Sequence, residues 1–345
     1  MSWVERELRE QPEAVARFLA REHENVARLA RQLIGPDVNY LLIASRGSSG
    51  NAARYAQYVF GARNGLPVAF STPSLYTLYE TPPRLDGALV IGISQSGASP
   101  DVVAVLAEAR RQGRPTLAFT NETGSALANA AEWVVPLHAG DEHAVAATKT
   151  YLTSIAAVAL LSAVLDEDET RLNELLETPG WIATQVELSL GGARELDRYS
   201  EVDGGSVVAR GVNLGTAFEI ALKIRELSGA PFEPFSSADL LHGPIAALAP
   251  GRPAIVVGPS GPALESLRSS VAKLRERGAP VIAISDDEAL LAVADTQLPL
   301  VRTFPEWLSP LLTVIPGQVA ALRLATLRGG DVDRPAGLTK VTLTR

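Results

Sequence analysis

Segments of this chain recur at a nearly constant separation, and that recurrence limits the possible folds more than any other feature. Gly113-Arg114-Pro115-Thr116-Leu117-Ala118-Phe119-Thr120 returns 165 residues later as Gly278-Ala279-Pro280-Val281-Ile282-Ala283-Ile284-Ser285. Ser96-Gly97 returns 164 residues later as Ser260-Gly261, after the apolar run Ile255-Val256-Val257. Arg46-Gly47, after Leu41-Leu42-Ile43-Ala44, returns at the same interval as Arg210-Gly211 after Val207-Val208-Ala209. Three anchors at nearly one offset imply two copies of one domain.

Within each copy, short Val/Ile/Leu runs without polar alternation indicate strands buried on both faces. Helical patterns lie between them, over 49–62, 100–111 and 146–164, then 215–227, 264–277 and 307–326. Strands alternating with helices imply parallel sheets with right-handed crossovers. The expected fold class is therefore α/β, with two tandem three-layer α-β-α sandwiches, each on a mostly parallel sheet. The expected organisation is an amphipathic helical segment over 1–34, a first domain over 35–170 and a largely helical connector over 171–198, broken at Pro179-Gly180. A second domain follows over 199–330, and a tail over 331–345.

Composition narrows the function. The 345 residues are 46% hydrophobic and 20% charged, as in an ordinary globular protein. A net charge of −8 and a pI near 5.2 argue against nucleic acid or an anionic membrane as partner, but not against a phosphorylated metabolite. The absence of cysteine removes disulfides, thiolate nucleophiles and Cys-based zinc sites together. The N-terminus shows no signal-peptide apolar stretch, and the run 155–165 is too short to span a bilayer, so a cytoplasmic protein is expected.

Ser94-Gln95-Ser96-Gly97-Ala98-Ser99 stands where an apolar run, Ala88-Leu89-Val90-Ile91, gives way to a helical pattern. At a helix start the first N–H groups have no partner and the dipole is positive, so the spot attracts anions. Hydroxyls and a carboxamide there can wrap a phosphate without any fixed positive charge. The plain alternative is an ordinary N-cap, which serine also favours. Ser45-Arg46-Gly47-Ser48-Ser49-Gly50 repeats the arrangement after another apolar run, and reads as a second donor-rich loop or as a structural turn. Ligands of parallel α/β sheets lie at the carboxyl ends of strands. In the second copy, Glu219, Lys223 and Glu226 fall on one helical stripe. That spacing usually means a solvated face with ion pairs. His242 sits in a turn signal, Leu241-His242-Gly243-Pro244. A carboxylate, a lysine and an imidazole are also the groups that open sugar rings and move protons beside a carbonyl.

Ser45–Gly50, Ile93–Asp101, Glu142–Lys149, Ala221–Ser228 with His242-Gly243-Pro244, and Leu338-Thr339-Lys340 together resemble the tandem sugar-isomerase (SIS) fold. They are most similar to the isomerase half of glucosamine-6-phosphate synthase and to SIS-type glucosamine-6-phosphate deaminases. The opening Glu7-Leu8-Arg9-Glu10-Gln11-Pro12 resembles the segment preceding that half, so the similarity covers essentially the whole chain. The resemblance implies that Ser49, Ser94, Gln95, Ser96 and Ser99 bind the substrate phosphate, with Ser48 and the Val145 backbone as further contacts. It implies Glu226 as the base between C1 and C2, and Lys223 as the group that sets proton affinities. His242 would assist ring opening from the neighbouring subunit of a homodimer, and Lys340 would contact the sugar carbonyl or form an imine with it. Neither a metal nor an organic cofactor is implied.

Four positions depart from the synthase: Ala147 for a substrate-contacting serine, Ala98 for an acidic residue, and Asp239 and Leu241 for Glu and Lys. They bear on the identity of the sugar more than on the chemistry. The synthase also carries a cysteine-dependent glutaminase domain, which these residues lack. The expectation is therefore a cytoplasmic, homodimeric aminosugar-phosphate deaminase/isomerase acting on a small-molecule sugar phosphate. Alternatives are a fructosamine-6-phosphate deglycase and a non-catalytic sugar-phosphate sensor.

Overall fold

Two five-stranded sheets, with every strand pair parallel, carry the chain. The computed structural model describes residues 1–33, 35 and 37–340. Ile34 at the end of the leading segment, Pro36, and the last five residues of the predicted tail lie outside the described residues. The first sheet contains β1 (Tyr40–Ser45), β2 (Val68–Phe70), β3 (Ala88–Ile93), β4 (Thr116–Thr120) and β5 (Trp133–Pro136), in the order β2-β1-β3-β4-β5. The second contains β6 (Gly205–Ala209), β7 (Phe232–Ser236), β8 (Ala254–Val257), β9 (Val281–Ser285) and β10 (Thr296–Pro299), in the order β10-β9-β8-β6-β7. Matched strand for strand, the two orders are the same, which is the repeat read from the sequence.

The inner strands are buried throughout: all of β3, β4, β6, β8 and β9, and the middle of β1. Continuous apolar runs suit them because helices cover both sheet faces. Leu42, Val90, Val102, Val105, Leu106 and Leu127 form one core. Val208, Val256, Leu267, Val271, Leu274 and Val281 form its counterpart under the second sheet. The helix Lys149–Leu165 is buried on nearly every side, hence its lack of an amphipathic pattern. Helix Pro310–Leu327 is apolar and long enough to cross a membrane by composition, yet 83% of that stretch is buried in protein. It packs on helix Leu214–Ser228, and Gly317 has no room for a side chain beside Ile220.

Predicted helices fall where expected, the nearest being Pro100–Arg111, with ends shifted elsewhere by up to three residues. One expectation is corrected. The connector is not broken at Pro179, because helix Glu169–Gly191 runs through it. Arg171, Leu175, Thr178, Ile182, Gln185, Val186 and Ser189 are all buried, a stripe at helical spacing on both sides of the proline. That packing outweighs the hydrogen bond the ring removes.

The chain divides into two compact units. One, built on the first sheet, comprises Glu13–Glu142, Lys149–Glu177 and the chain from Thr339. The other, built on the second sheet, comprises Met1–Pro12, His143–Thr148 and Thr178–Leu338. In this second unit the opening helix Trp3–Arg9 is integral: Glu7, 1% exposed, accepts the backbone N–H groups of His143 and Ala144.

Candidate active site

In the first-sheet unit, the chain leaves β1 and β3, the two strands where the sheet order reverses, through the two serine-rich loops. Such a switch point opens a crevice at the carboxyl ends of the strands. Helix Gly47–Asn64 starts at the first loop with Arg46 as N-cap, and helix Pro100–Arg111 starts at the second with Ser99 as N-cap. Neither cap makes a side-chain hydrogen bond to its helix. The ordinary N-cap reading of Ser99 therefore fails; at that helix start Pro100 has no N–H and the Val102 N–H goes to Asp101 Oδ1 at 2.9 Å, so the loop hydroxyls carry most of the donor capacity there. Ser94 Oγ accepts the Gly97 N–H at 3.2 Å and Ser96 Oγ accepts the Ala98 N–H at 3.3 Å, which folds the loop upon itself. The Gln95 carbonyl accepts the Asn121 N–H at 3.1 Å, and the Gly97 carbonyl that of Leu127 at 3.0 Å. These bonds tie the loop to the residue after β4 and to the short helix Ala126–Ala130. Gly97 adopts φ +58°, and a Cβ there would fall on the Ser125 hydroxyl, so only glycine fits. Ser48, Ser49, Gln95, Ser96 and Ser99 are all half-buried, and Ser94 is buried. The structure thus brings the predicted phosphate residues to one sheet edge. A groove of about 560 Å³ in the same unit, lined by Arg31, Asn64, Leu66 and Leu165 among others, lies at the opposite ends of the helices.

The same unit holds Lys340. Its Nζ donates to Glu142 Oε2 at 2.8 Å, and the Glu142 side chain has no exposure at all. Glu142 also accepts the Thr150 N–H at 3.1 Å and the Thr150 hydroxyl at 2.7 Å, so it caps the start of helix Lys149–Leu165. Lys149 Nζ donates to the Asp141 carbonyl at 2.7 Å.

In the second-sheet unit, helix Leu214–Ser228 carries Glu219, Lys223 and Glu226, and ends at Gly229 in the left-handed conformation, φ +71°. The stripe is not the solvated face that its spacing suggests. Glu219 is fully buried, Lys223 is 1% exposed and Glu226 is 25% exposed along its side chain. Lys223 Nζ lies 3.5 Å from Glu219 and bonds Glu226 Oε2. A buried ammonium between two carboxylates, one reaching solvent, can hold the outer carboxylate ready to take a proton. His242 ends the short helix Ser237–Leu241 and is exposed, ahead of Gly243 at φ +134°. Asp239 sits in the first turn of that helix, whose N-cap is Ser236. Val145 donates its N–H to the Asp333 carbonyl at 3.2 Å, while Asp333 Oδ1 accepts the Val4 N–H at 3.0 Å. Ala147 belongs to this unit and Ala98 to the other.

The SIS domain profile matches residues 37–163 and again residues 206–328. This chain belongs to the SIS-domain family. Among relatives of the SIS chain, it is 32% identical over 345 residues to the glutamine–fructose-6-phosphate aminotransferase (isomerizing) of Thermococcus kodakarensis. That alignment covers 97% of this chain and 57% of the relative. An enzyme of the same name from Thermus thermophilus is 32% identical over 349 residues, covering 97% and 58%. The chain thus spans little more than half the length of these relatives. A structure from Silicibacter pomeroyi DSS-3 assigned as a phosphosugar isomerase is 32% identical, with a TM-score of 0.87 over 96% of this chain and 99% of that one. The C-terminal domain of the Francisella tularensis glucosamine-fructose-6-phosphate aminotransferase is 25% identical, with a TM-score of 0.86 over 97% and 98%. The Thermotoga maritima glucosamine-6-phosphate deaminase, at 21% identity and a TM-score of 0.82, shares the fold.

Sequence reasoning gave Asp101 and Glu142 no role of their own, and read Glu219 only as a member of the helical stripe. Asp101 resembles any acidic residue in a helix's first turn, and Glu142 any loop carboxylate; only burial sets them apart.

Proposed function

We propose that this SIS protein is an aminosugar-phosphate isomerase/deaminase, converting glucosamine 6-phosphate and water to fructose 6-phosphate and ammonia. The observation that carries the reading is the buried Glu219–Lys223–Glu226 stack, whose outer carboxylate alone reaches solvent. Burying a lysine between two carboxylates is costly, and a surface helix gains nothing from it. The phosphate-class substrate is supported by the serine-rich loops at the two helix starts, where neither Arg46 nor Ser99 spends its side chain on capping the helix. A sensor would need no such stack.

In this reading the serine loops hold the phosphate and His242 moves a proton as the pyranose opens to the aldehyde. Glu226 then removes the C2 proton and returns it to C1. The electron pair passes through the enolamine to give the C2 imine as a proton moves from nitrogen to O1, while Lys223 steadies the negative charge that builds on that oxygen when the C2 proton leaves. Water adds to the imine carbon, the C–N bond breaks, and ammonia leaves with fructose 6-phosphate. Lys340 contacts the sugar carbonyl or forms an imine with it. The chain works as a homodimer whose neighbouring subunit supplies His242, and the exposure of His242 accords with that role.

The test is release of ammonia and fructose 6-phosphate from glucosamine 6-phosphate without glutamine. Both should appear in equal amounts. Glu226→Gln should lower kcat by about 10²–10⁴-fold while sugar-phosphate binding persists. Turnover near the wild-type rate would remove Glu226 as the base. Release of an amino acid from a fructosamine 6-phosphate, with no ammonia from glucosamine 6-phosphate, would favour the deglycase.

A further inference from the structure

We propose that Arg46 is a phosphate-binding residue of the first-sheet cradle, held in position by Asp101. The inference rests on reading the serine loops as the substrate's phosphate site. Serines and helix N–H groups would make that site neutral apart from the dipoles, yet a phosphate monoester carries nearly two charges. Arg46 is the N-cap residue of helix Gly47–Asn64 and Asp101 lies in the first turn of helix Pro100–Arg111. Arg46 Nε donates to Asp101 Oδ2 at 2.6 Å, so the bond joins the two donor loops across the switch point. Asp101 is 1% exposed, whereas the Arg46 side chain is about half exposed, at 52%. A guanidinium has five N–H donors in a rigid fork. Asp101 takes the Nε side, and among the described residues no protein acceptor takes the terminal nitrogens. The remaining edge matches a phosphate's paired oxygens.

The second repeat provides an internal control. Arg210-Gly211 follows β6 as Arg46-Gly47 follows β1, and Gly261 answers to Gly97. There, Gly258-Pro259-Ser260 replaces Ser94-Gln95-Ser96, and Glu265, at the place of Asp101, pairs with Arg268 at 3.5 Å. Arg210 makes no ion pair among the described residues. Instead the Glu306 side chain lies at both loop glycines. A Cβ on Gly261 would be 2.9 Å from its Cγ and 3.0 Å from its Cδ, and one on Gly211 would be 3.9 Å from its Oε1. In the copy where the protein's own carboxylate occupies the switch point, the serine set and the Arg–Asp bond are both missing. In the copy that has both, the loops stay open for an external anion.

The experiment is calorimetric binding of fructose 6-phosphate and of inorganic phosphate to the full chain and to Arg46→Met, Arg46→Lys and Asp101→Asn. Steady-state kinetics with glucosamine 6-phosphate accompany it. Arg46→Met should weaken fructose 6-phosphate binding at least about tenfold, the loss expected for a charged hydrogen bond. It should raise KM with little change in kcat, and Arg46→Lys should restore part of the loss. Asp101→Asn should raise KM less than Arg46→Met. Wild-type affinity in folded Arg46→Met, or an equal loss in Arg46→Met and Arg46→Lys traced to a lowered Tm, would overturn the proposal. If Arg46→Met does not fold, the lysine and Asp101 variants decide by the same KM criterion. Binding that depends on Arg46 without any release of ammonia would sustain the cradle and reject the deaminase. A wild-type protein that binds neither phosphate nor fructose 6-phosphate would reject the cradle and Arg46 together.

Discussion

Lys223 shows how far a residue's surroundings can reverse the meaning of its spacing. An i,i+3 and i,i+4 pair of carboxylates around a lysine is ordinarily a solvent-facing decoration worth a few tenths of a kcal/mol. At 1% exposure, beside a fully buried Glu219, the same three residues are a committed charge cluster. Lys223→Met keeps the stem's volume and removes the ammonium that both carboxylates share. Breaking a buried pair in this way should cost about 3–5 kcal/mol, seen as a lower urea midpoint with an unchanged slope. Adding Glu219→Gln to it should recover part of the loss, since the buried negative charge is then gone. Recovery in that double variant separates charge burial from simple loss of packing. The residue types were legible in the sequence, because serines, a glutamine, a glutamate and a histidine are named by their chemistry. Their depth was not, since depth depends on what the opposite face of the helix meets.

Elements were read where burial leaves a periodic trace. The inner strands of both sheets appear in the sequence as unbroken apolar runs. The strands that reading does not reveal are β2, β5, β7 and β10, and all four are sheet edges. Their burial is partial, and they contain Pro136, Glu233, Pro234, Gln297 and Pro299, as suits strands with one unpaired side. Helix ends were legible where glycine or serine marks them, and misread at Pro179, where tertiary packing overrides a local breaker. The short helix Glu288–Ala292 offers a test at this scale. Its N-cap Asp287 accepts the Leu290 N–H at 2.8 Å and pairs with Arg268 at 2.7 Å. The Arg268 guanidinium first, and the Leu290 N–H after it, hold the Asp287 carboxyl below its usual range against a smaller effect of burial. A depressed carboxyl stabilises the fold above its unfolded pKa and loses that contribution as pH falls through the folded value. Asp287→Ala should therefore cost about 1 kcal/mol at neutral pH. The gap in melting temperature between variant and wild type should close as the solution is acidified below the carboxylate range. A gap that persists at low pH would mean that packing, not the ionised cap, is what was lost.

At the scale of the whole molecule, the chain returns upon itself. Lys340 and Glu142 are 198 residues apart and meet at 2.8 Å, in the unit built on the first sheet. Deleting the tail would strip a cation from a carboxylate with no exposure, so truncation alone mixes lost activity with lost stability. Lys340→Arg keeps the charge pair and removes the primary amine. The variant should melt within about 2 °C of wild type, because an Arg–carboxylate pair is at least as well bonded. It should yield no borohydride-trapped adduct with fructose 6-phosphate if Lys340 forms the imine, and kcat should fall. Equal trapping in variant and wild type would take the imine away from Lys340.

The tandem repeat, the parallel α/β class, the inner strands, most helix limits and the serine loops were determined by the amino-acid sequence alone. Each leaves a local record: an offset of matching segments, an unbroken apolar run, or a cluster of donors where a strand becomes a helix. What only the tertiary structure decided is which polar groups are buried and with whom. Arg46 finds Asp101, Lys340 finds Glu142, Lys223 sinks between two carboxylates, and Glu306 comes to the glycines of the second repeat. Most of these pairings join positions from tens to nearly two hundred residues apart. Their energy comes from removing charge from water, a quantity set by packing from all sides and not by any neighbour in the chain.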